Sequence, residues 1–111
     1  MTDITLVYDR NGVIKSLNAS GHAGFAAKGK DIVCAAETIL LRTALELLEN
    51  TEGVEVDSKT ASRGNLAFSV ETYSPSVTER LKCTGEYLKT GLLSLSKEYP
   101  ELVRLREITE E

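Results

Sequence analysis

Gly21-His22-Ala23-Gly24-Phe25-Ala26-Ala27-Lys28-Gly29-Lys30-Asp31-Ile32-Val33-Cys34-Ala35-Ala36 carries the chain from its only histidine to one of its two cysteines. It also marks the change from strand-like to helix-like sequence. Three glycines, at 21, 24 and 29, give the stretch the freedom of a loop able to fold over a substrate. Asp31 is a good N-cap, so the apolar run from Ile32 opens a helix with Cys34 at about its third position.

That placement matters chemically. A thiol attacks as thiolate, and a helix N-terminus or a neighbouring imidazole favours that form. Taken alone, a cysteine among Val33, Ala35 and Ala36 is more often a small buried hydrophobe, and a lone histidine is usually an ordinary surface residue. A histidine leading a glycine loop that ends at a capped cysteine makes His22 and Cys34 a candidate base and nucleophile. Asp31 has two possible roles, as helix cap or as the group that orients the imidazole.

Towards the N-terminus, Asp3 to Tyr8 has strand composition and Asn11-Gly12 is a hairpin signal. Val13 to Ser20 returns with Val13, Lys15, Leu17 and Ala19 alternating against Ile14, Ser16, Asn18 and Ser20, and its end delivers His22 to the mouth of a sheet. Towards the C-terminus, Ile32 to Glu49 reads as a helix. Its apolar surface (Val33, Ala36, Ile39, Leu40, Leu41, Ala44, Leu45, Leu47, Leu48) is too wide for one stripe. Arg42, Glu46 and Glu49 mark its wet side. Such a surface needs cover from the sheet and from either another helix or a second subunit.

After Gly53, Val54-Glu55-Val56-Asp57 and Asn65 to Tyr73 read as a second hairpin joined through Ser62-Arg63-Gly64, with Leu66, Phe68 and Val70 facing the core. A second helix follows. Pro75 suits its first turn, and Ser76-Val77-Thr78-Glu79 matches a capping box. Val77, Leu81, Thr84, Leu88, Leu92, Leu95 and Tyr99 form its packing stripe, and Gly85 and Gly91 allow a neighbour to approach closely. Cys83 lies beside the stripe and reads as a buried or partly buried spectator. Val103 to Ile108 can add a short edge strand before an acidic tail. The fold expected is α+β, a two-layer, largely antiparallel sheet with two helices on one face. Its element order is ββαββα with a possible final strand, and residues 1–111 form one domain.

The chain has 111 residues, 41% hydrophobic and 27% charged, a balance ordinary for a globular protein. A net charge of −4 without a basic tract argues against direct nucleic-acid binding and suits a basic protein substrate. No segment resembles a signal peptide or reaches transmembrane length, so a cytoplasmic protein with reduced thiols and no membrane partner is expected. His22, Cys34 and Cys83 are too few for a structural zinc site. No Cys-x-x-Cys, phosphate-binding or dinucleotide motif is present, so no metal or cofactor is expected.

Ser20-Gly21-His22-Ala23-Gly24, followed by Gly29-Lys30-Asp31-Ile32-Val33-Cys34-Ala35-Ala36, resembles the signature of the ribosomal-processing cysteine proteases, small bacterial proteins. The resemblance is strong from about residue 4 to 48. It implies that His22 and Cys34 are catalytic and that the substrate is the N-terminal extension of a large-subunit ribosomal protein, cut after a bulky apolar residue. It also implies a homodimer. Where the family commonly has an apolar residue and then serine, this chain has Glu37 and Thr38. Thr38 keeps a hydroxyl one turn from Cys34, and Glu37 brings a negative charge that would raise the thiol pKa if it lay close. The competing functional class is a non-catalytic module that docks on the ribosome or a basic partner through the glycine loop. A cysteine-based redox sensor is a third.

Overall fold

Alternating apolar residues bring the first two strands together. In the computed structural model, which describes residues 1–21, 26, 31–62 and 65–110, β1 (Thr2–Tyr8) and β2 (Ile14–Gly21) pair antiparallel. Thr2, Ile4 and Leu6 of β1 and Leu17 and Ala19 of β2 are buried on one face. Asp9 shapes the connecting turn: its Oδ1 accepts from the N–H groups of Asn11 at 2.8 Å and Val13 at 3.0 Å. Gly12 closes the turn at φ +86°, where a side chain would be strained.

Strict alternation places Ile14 opposite Leu17, on the outer face. The structure corrects this. Val7 pairs with Ser16 and Tyr8 with Ile14, so Lys15 is an extra residue on β2. This bulge shifts the phase by one and turns Ile14 into the core beside Leu17.

The chain continues through α1 (Ile32–Glu49), β3 (Val54–Ser62), β4 (Asn65–Tyr73), α2 (Thr78–Glu98) and β5 (Val103–Thr109). The sheet order is β3-β4-β2-β1-β5, antiparallel throughout except for the β1/β5 pair. That pair is parallel because α2 carries the chain back along the sheet between β4 and β5. The order ββαββα with a final strand therefore holds. The last strand is a full seven residues and reaches one position beyond Ile108.

Leu66, Phe68 and Val70 of β4 join Leu6, Ile14 and Leu17 under the helices, while Asp3, Asn18 and Glu71 of the same strands stay exposed. Leu81, Thr84, Gly85, Leu88 and Leu92 form the buried stripe of α2. The two glycines are where neighbours come close. A Cβ on Gly85 would stand 3.2 Å from the Tyr8 ring, and one on Gly91 would stand 3.0 Å from a methyl of Leu40 on α1. Arg80 Nε also donates to Thr51 Oγ1 at 3.1 Å, tying α2 to the end of α1.

Two expectations about α2 are corrected. Ser76 forms no capping box: Pro75–Val77 makes a 3-10 turn first, Val77 precedes α2 without a side-chain cap, and Thr78 Oγ1 donates to the Pro75 carbonyl. Pro75, with φ fixed, starts the turn one residue too early for Ser76 to lie outside it. Cys83 is exposed, because a stripe running through 81, 84, 85, 88 and 92 puts position 83 on the outer side of the helix.

Candidate functional site

β2 ends, and α1 begins, at the sheet edge where β1, β4 and β5 start. Gly21, expected to be part of a free loop, is a strand residue paired with Thr2. Its φ is +93°, and a Cβ there would stand 2.5 Å from the Met1 carbonyl oxygen, so only glycine fits the approach of β1. The Gly21 N–H donates to Asn65 Oδ1 at 3.3 Å, which anchors the chain one residue before the histidine. His22, Gly24 and Gly29 lie outside the described residues.

Asp31 is the N-cap of α1. It takes the extended conformation a cap requires (φ −81°, ψ 101°), and its Oδ1 accepts from the N–H groups of Val33 and Cys34, each at 3.0 Å. Its own carbonyl accepts from Ala35 at 3.1 Å. Of the two roles the sequence offers Asp31, capping is realised. Cys34 is the third residue of α1, half-buried against the core, at the end of the helix where the macrodipole favours negative charge. Its N–H is engaged by Asp31, so it is not free to stabilise an oxyanion in this arrangement. Thr38 Oγ1 donates to the Cys34 carbonyl at 2.7 Å, a bond within the helix that fixes the cysteine's backbone.

Glu37, whose charge the sequence places one turn from the thiol, is only 4% exposed, and its Oε1 has no hydrogen-bond partner. Burial pushes its carboxyl above the ordinary 4.5, and the Asp31 charge pushes in the same direction. The Thr2 hydroxyl and the Met1 amino group pull against them. Thr2 Oγ1 is near enough to exert that pull but not in bonding geometry, and it too is buried without a partner. The sequence carried a signal for this burial, since position 37 falls in register with Val33, Leu41, Ala44 and Leu48. Asn65 had no such signal, because only the pairing of β4 with β2 brings it beside Gly21.

A cleft of about 280 Å³ lies at the other end of β1, lined by Tyr8, Asp9, Arg10, Gly12, Gly85, Glu86, Lys89 and Thr109. It mixes both signs of charge and is a strand's length from Cys34. Among the described residues no cluster of His, Cys, Asp or Glu is arranged to hold a metal ion, and no helix is long and apolar enough to cross a membrane.

The fold is shared with solved structures. The essential ribosomal processing protease Prp of S. aureus, crystallised with a covalently linked product peptide, superposes with a TM-score of 0.83 over 96% of this chain and 99% of its own, at 18% identity. A Streptococcus mutans protein superposes with a TM-score of 0.78 at 25% identity, covering 99% and 96%. In sequence, the ribosomal processing cysteine protease Prp of Mycoplasma pneumoniae is 35% identical over 92 residues, 82% of this chain and 85% of that protein. The model of the family described as cysteine protease Prp matches residues 1–104, and with that match the chain belongs to the Prp family of cysteine proteases.

Proposed function

We propose that this protein is the endopeptidase that removes the N-terminal extension of a large-subunit ribosomal protein, with Cys34 as nucleophile and His22 as base. The observation that carries the reading is the capped start of α1. Asp31 organises a turn that presents Cys34 at a helix N-terminus, half-buried and bonded through its backbone on both sides. His22 takes the thiol proton, and the thiolate attacks the scissile carbonyl. The tetrahedral adduct then expels the amine, which His22 protonates, leaving a thioester that water hydrolyses. Oxyanion donors are then backbone N–H groups other than that of Cys34.

Asp31 and Thr38 support the nucleophile's turn. Gly21, Gly24 and Gly29 belong to the segment that meets the substrate, and Gly21 is its strand-held end. The substrate is basic, which suits a chain of net charge −4. The protein works in the cytoplasm as a homodimer, as one domain, without cofactor, metal, membrane or direct nucleic-acid contact. Relatives are named as ribosomal processing proteases, and one was crystallised with a substrate peptide.

The test is cleavage of a peptide spanning the junction between extension and mature ribosomal protein. Cys34→Ala should abolish it, His22→Ala should slow it at least about 100-fold, and Cys83→Ser should leave it intact. Cleavage by the Cys34→Ala protein would reject Cys34 as nucleophile. Tight binding of the peptide without cleavage by the unaltered protein would favour the docking-module reading instead.

A further inference from the structure

Among the described residues Glu37 is the only buried ionisable side chain, and the mechanism above does not use it. It lies three positions after Cys34 on α1, a spacing that puts the two side chains on neighbouring sites of the helix surface. Beneath it is Thr2, 2% exposed. Two polar atoms, Glu37 Oε1 and Thr2 Oγ1, are therefore shut in together with no bond to either.

A carboxylate in such a place has lost its water, and the Thr2 hydroxyl beside it, which favours the charged form, is not in bonding geometry. The nearby helix terminus offsets only part of that loss. The charged groups acting on it from the elements packed around it oppose one another: the Asp31 carboxylate disfavours its ionisation and the Met1 amino group favours it. A neutral carboxyl loses far less on burial, and the Thr2 hydroxyl, which can pair with either form, lies within a small movement to accept its proton.

We propose that Glu37 is a positioning residue for Cys34: its carboxyl, enclosed with Thr2 under the first turn of α1, holds a proton that keeps this turn free of a further negative charge. Ionisation of Glu37 and ionisation of the thiol then oppose each other. Whichever group loses its proton first makes the loss harder for the other, so the two titrate as a pair. The nucleophile consequently gains reactivity with pH more gradually than an isolated thiol would.

The inference rests on Cys34 being the nucleophile. Its test is alkylation of Cys34 by iodoacetamide as a function of pH, in a Cys83→Ser background so that one thiol reports. With Glu37 present, the rate should rise over a wider pH range than in a variant whose residue 37 cannot ionise. In Glu37→Gln, which keeps the shape but cannot ionise, the profile should be narrower and centred at lower pH, with only the coupling to His22 left. At pH values above the titration of Glu37, alkylation should then be about threefold to tenfold faster than in the parent, the size expected of one neighbouring like charge. Glu37→Leu should behave like Glu37→Gln, which a role in packing alone would not produce. Carboxyl 13C titration of the unaltered protein needs no variant: one glutamate should titrate above the others, with an inflection shared with the thiol. Profiles of both variants that coincide with the parent, or glutamates that all titrate in the ordinary range, would overturn the proposal. If Cys34→Ala still cleaves peptide, the protease assignment fails. If Cys34→Ala is inactive and the alkylation profiles coincide, only the role of Glu37 fails.

Discussion

Asp31 holds two backbone N–H groups on one carboxylate oxygen, and those groups belong to the residues that define the start of α1. Removing the carboxylate takes that acceptor from both. Asp31→Ala should therefore cost about 1 kcal/mol, read as a fall of several degrees in Tm, while Asp31→Asn, which can still accept, should recover most of it. Glu37 predicts the reverse of the usual carboxylate behaviour. Its folded-state pKa is raised above the ordinary 4.5, so the folded protein binds this proton more tightly than the unfolded chain does. Its contribution to stability is complete below about pH 4.5 and is lost as pH rises through the raised value. Glu37→Leu should thus stabilise the protein near neutral pH by about 1–3 kcal/mol, and the gap between variant and parent should shrink as pH falls towards 4.5. Urea unfolding at several pH values measures this. A gap that is independent of pH would show that Glu37 has the same charge folded and unfolded.

Glycine sets how closely elements approach, and the two helical glycines should respond differently to alanine. Alanine gains about 1 kcal/mol of helix propensity at either position. At Gly91 the new methyl meets the movable end of Leu40, so Gly91→Ala should be neutral or slightly stabilising. At Gly85 it meets the Tyr8 ring, whose hydroxyl is bonded to Glu107, and the branched carbon of Ile14, so the gain should vanish. Leucine at either position should destabilise by about 1–3 kcal/mol through overpacking. Thermal melts of the four variants would check this ordering. The same elements show what was legible in the sequence. Leu66, Phe68 and Val70, the α2 stripe and the Asp31 cap were readable because each follows from local periodicity or one side-chain bond. The Lys15 bulge was not, because whether β2 gains a residue depends on its pairing with β1. The capping pattern at Ser76 was misleading because Pro75 constrained the backbone first. His22 and Cys34 stand as a pair proposed from residue type and spacing, whereas the enclosure of Glu37 with Thr2 appears only when α1 is laid on β1.

The two helices cover one face of the sheet, yet α1 has more apolar surface than the sheet and α2 can take up. Ile32 remains 59% exposed, Ile39 61% and Leu47 39%. These positions are seven and eight residues apart, so they line one side of the helix, and Ile32 is two residues from Cys34. A homodimer formed through this side would cover the apolar stripe and place the second chain against the turn that carries the nucleophile. Ile39→Lys puts a charge at the middle of the stripe without touching the core, and it should reduce the mass measured by light scattering from that of two chains to that of one. Ile108→Lys, on the exposed end of β5, is the control and should leave the mass unchanged. Because the stripe begins beside Cys34, dissociation should also reach the chemistry. Specific activity on the junction peptide should fall on dilution of the parent protein and should be low at every concentration in Ile39→Lys, while the Tm of the separated chain stays within a few degrees of the parent's. If the parent has the mass of one chain at every concentration, α1 is not an interface between copies and its exposed isoleucines require another partner.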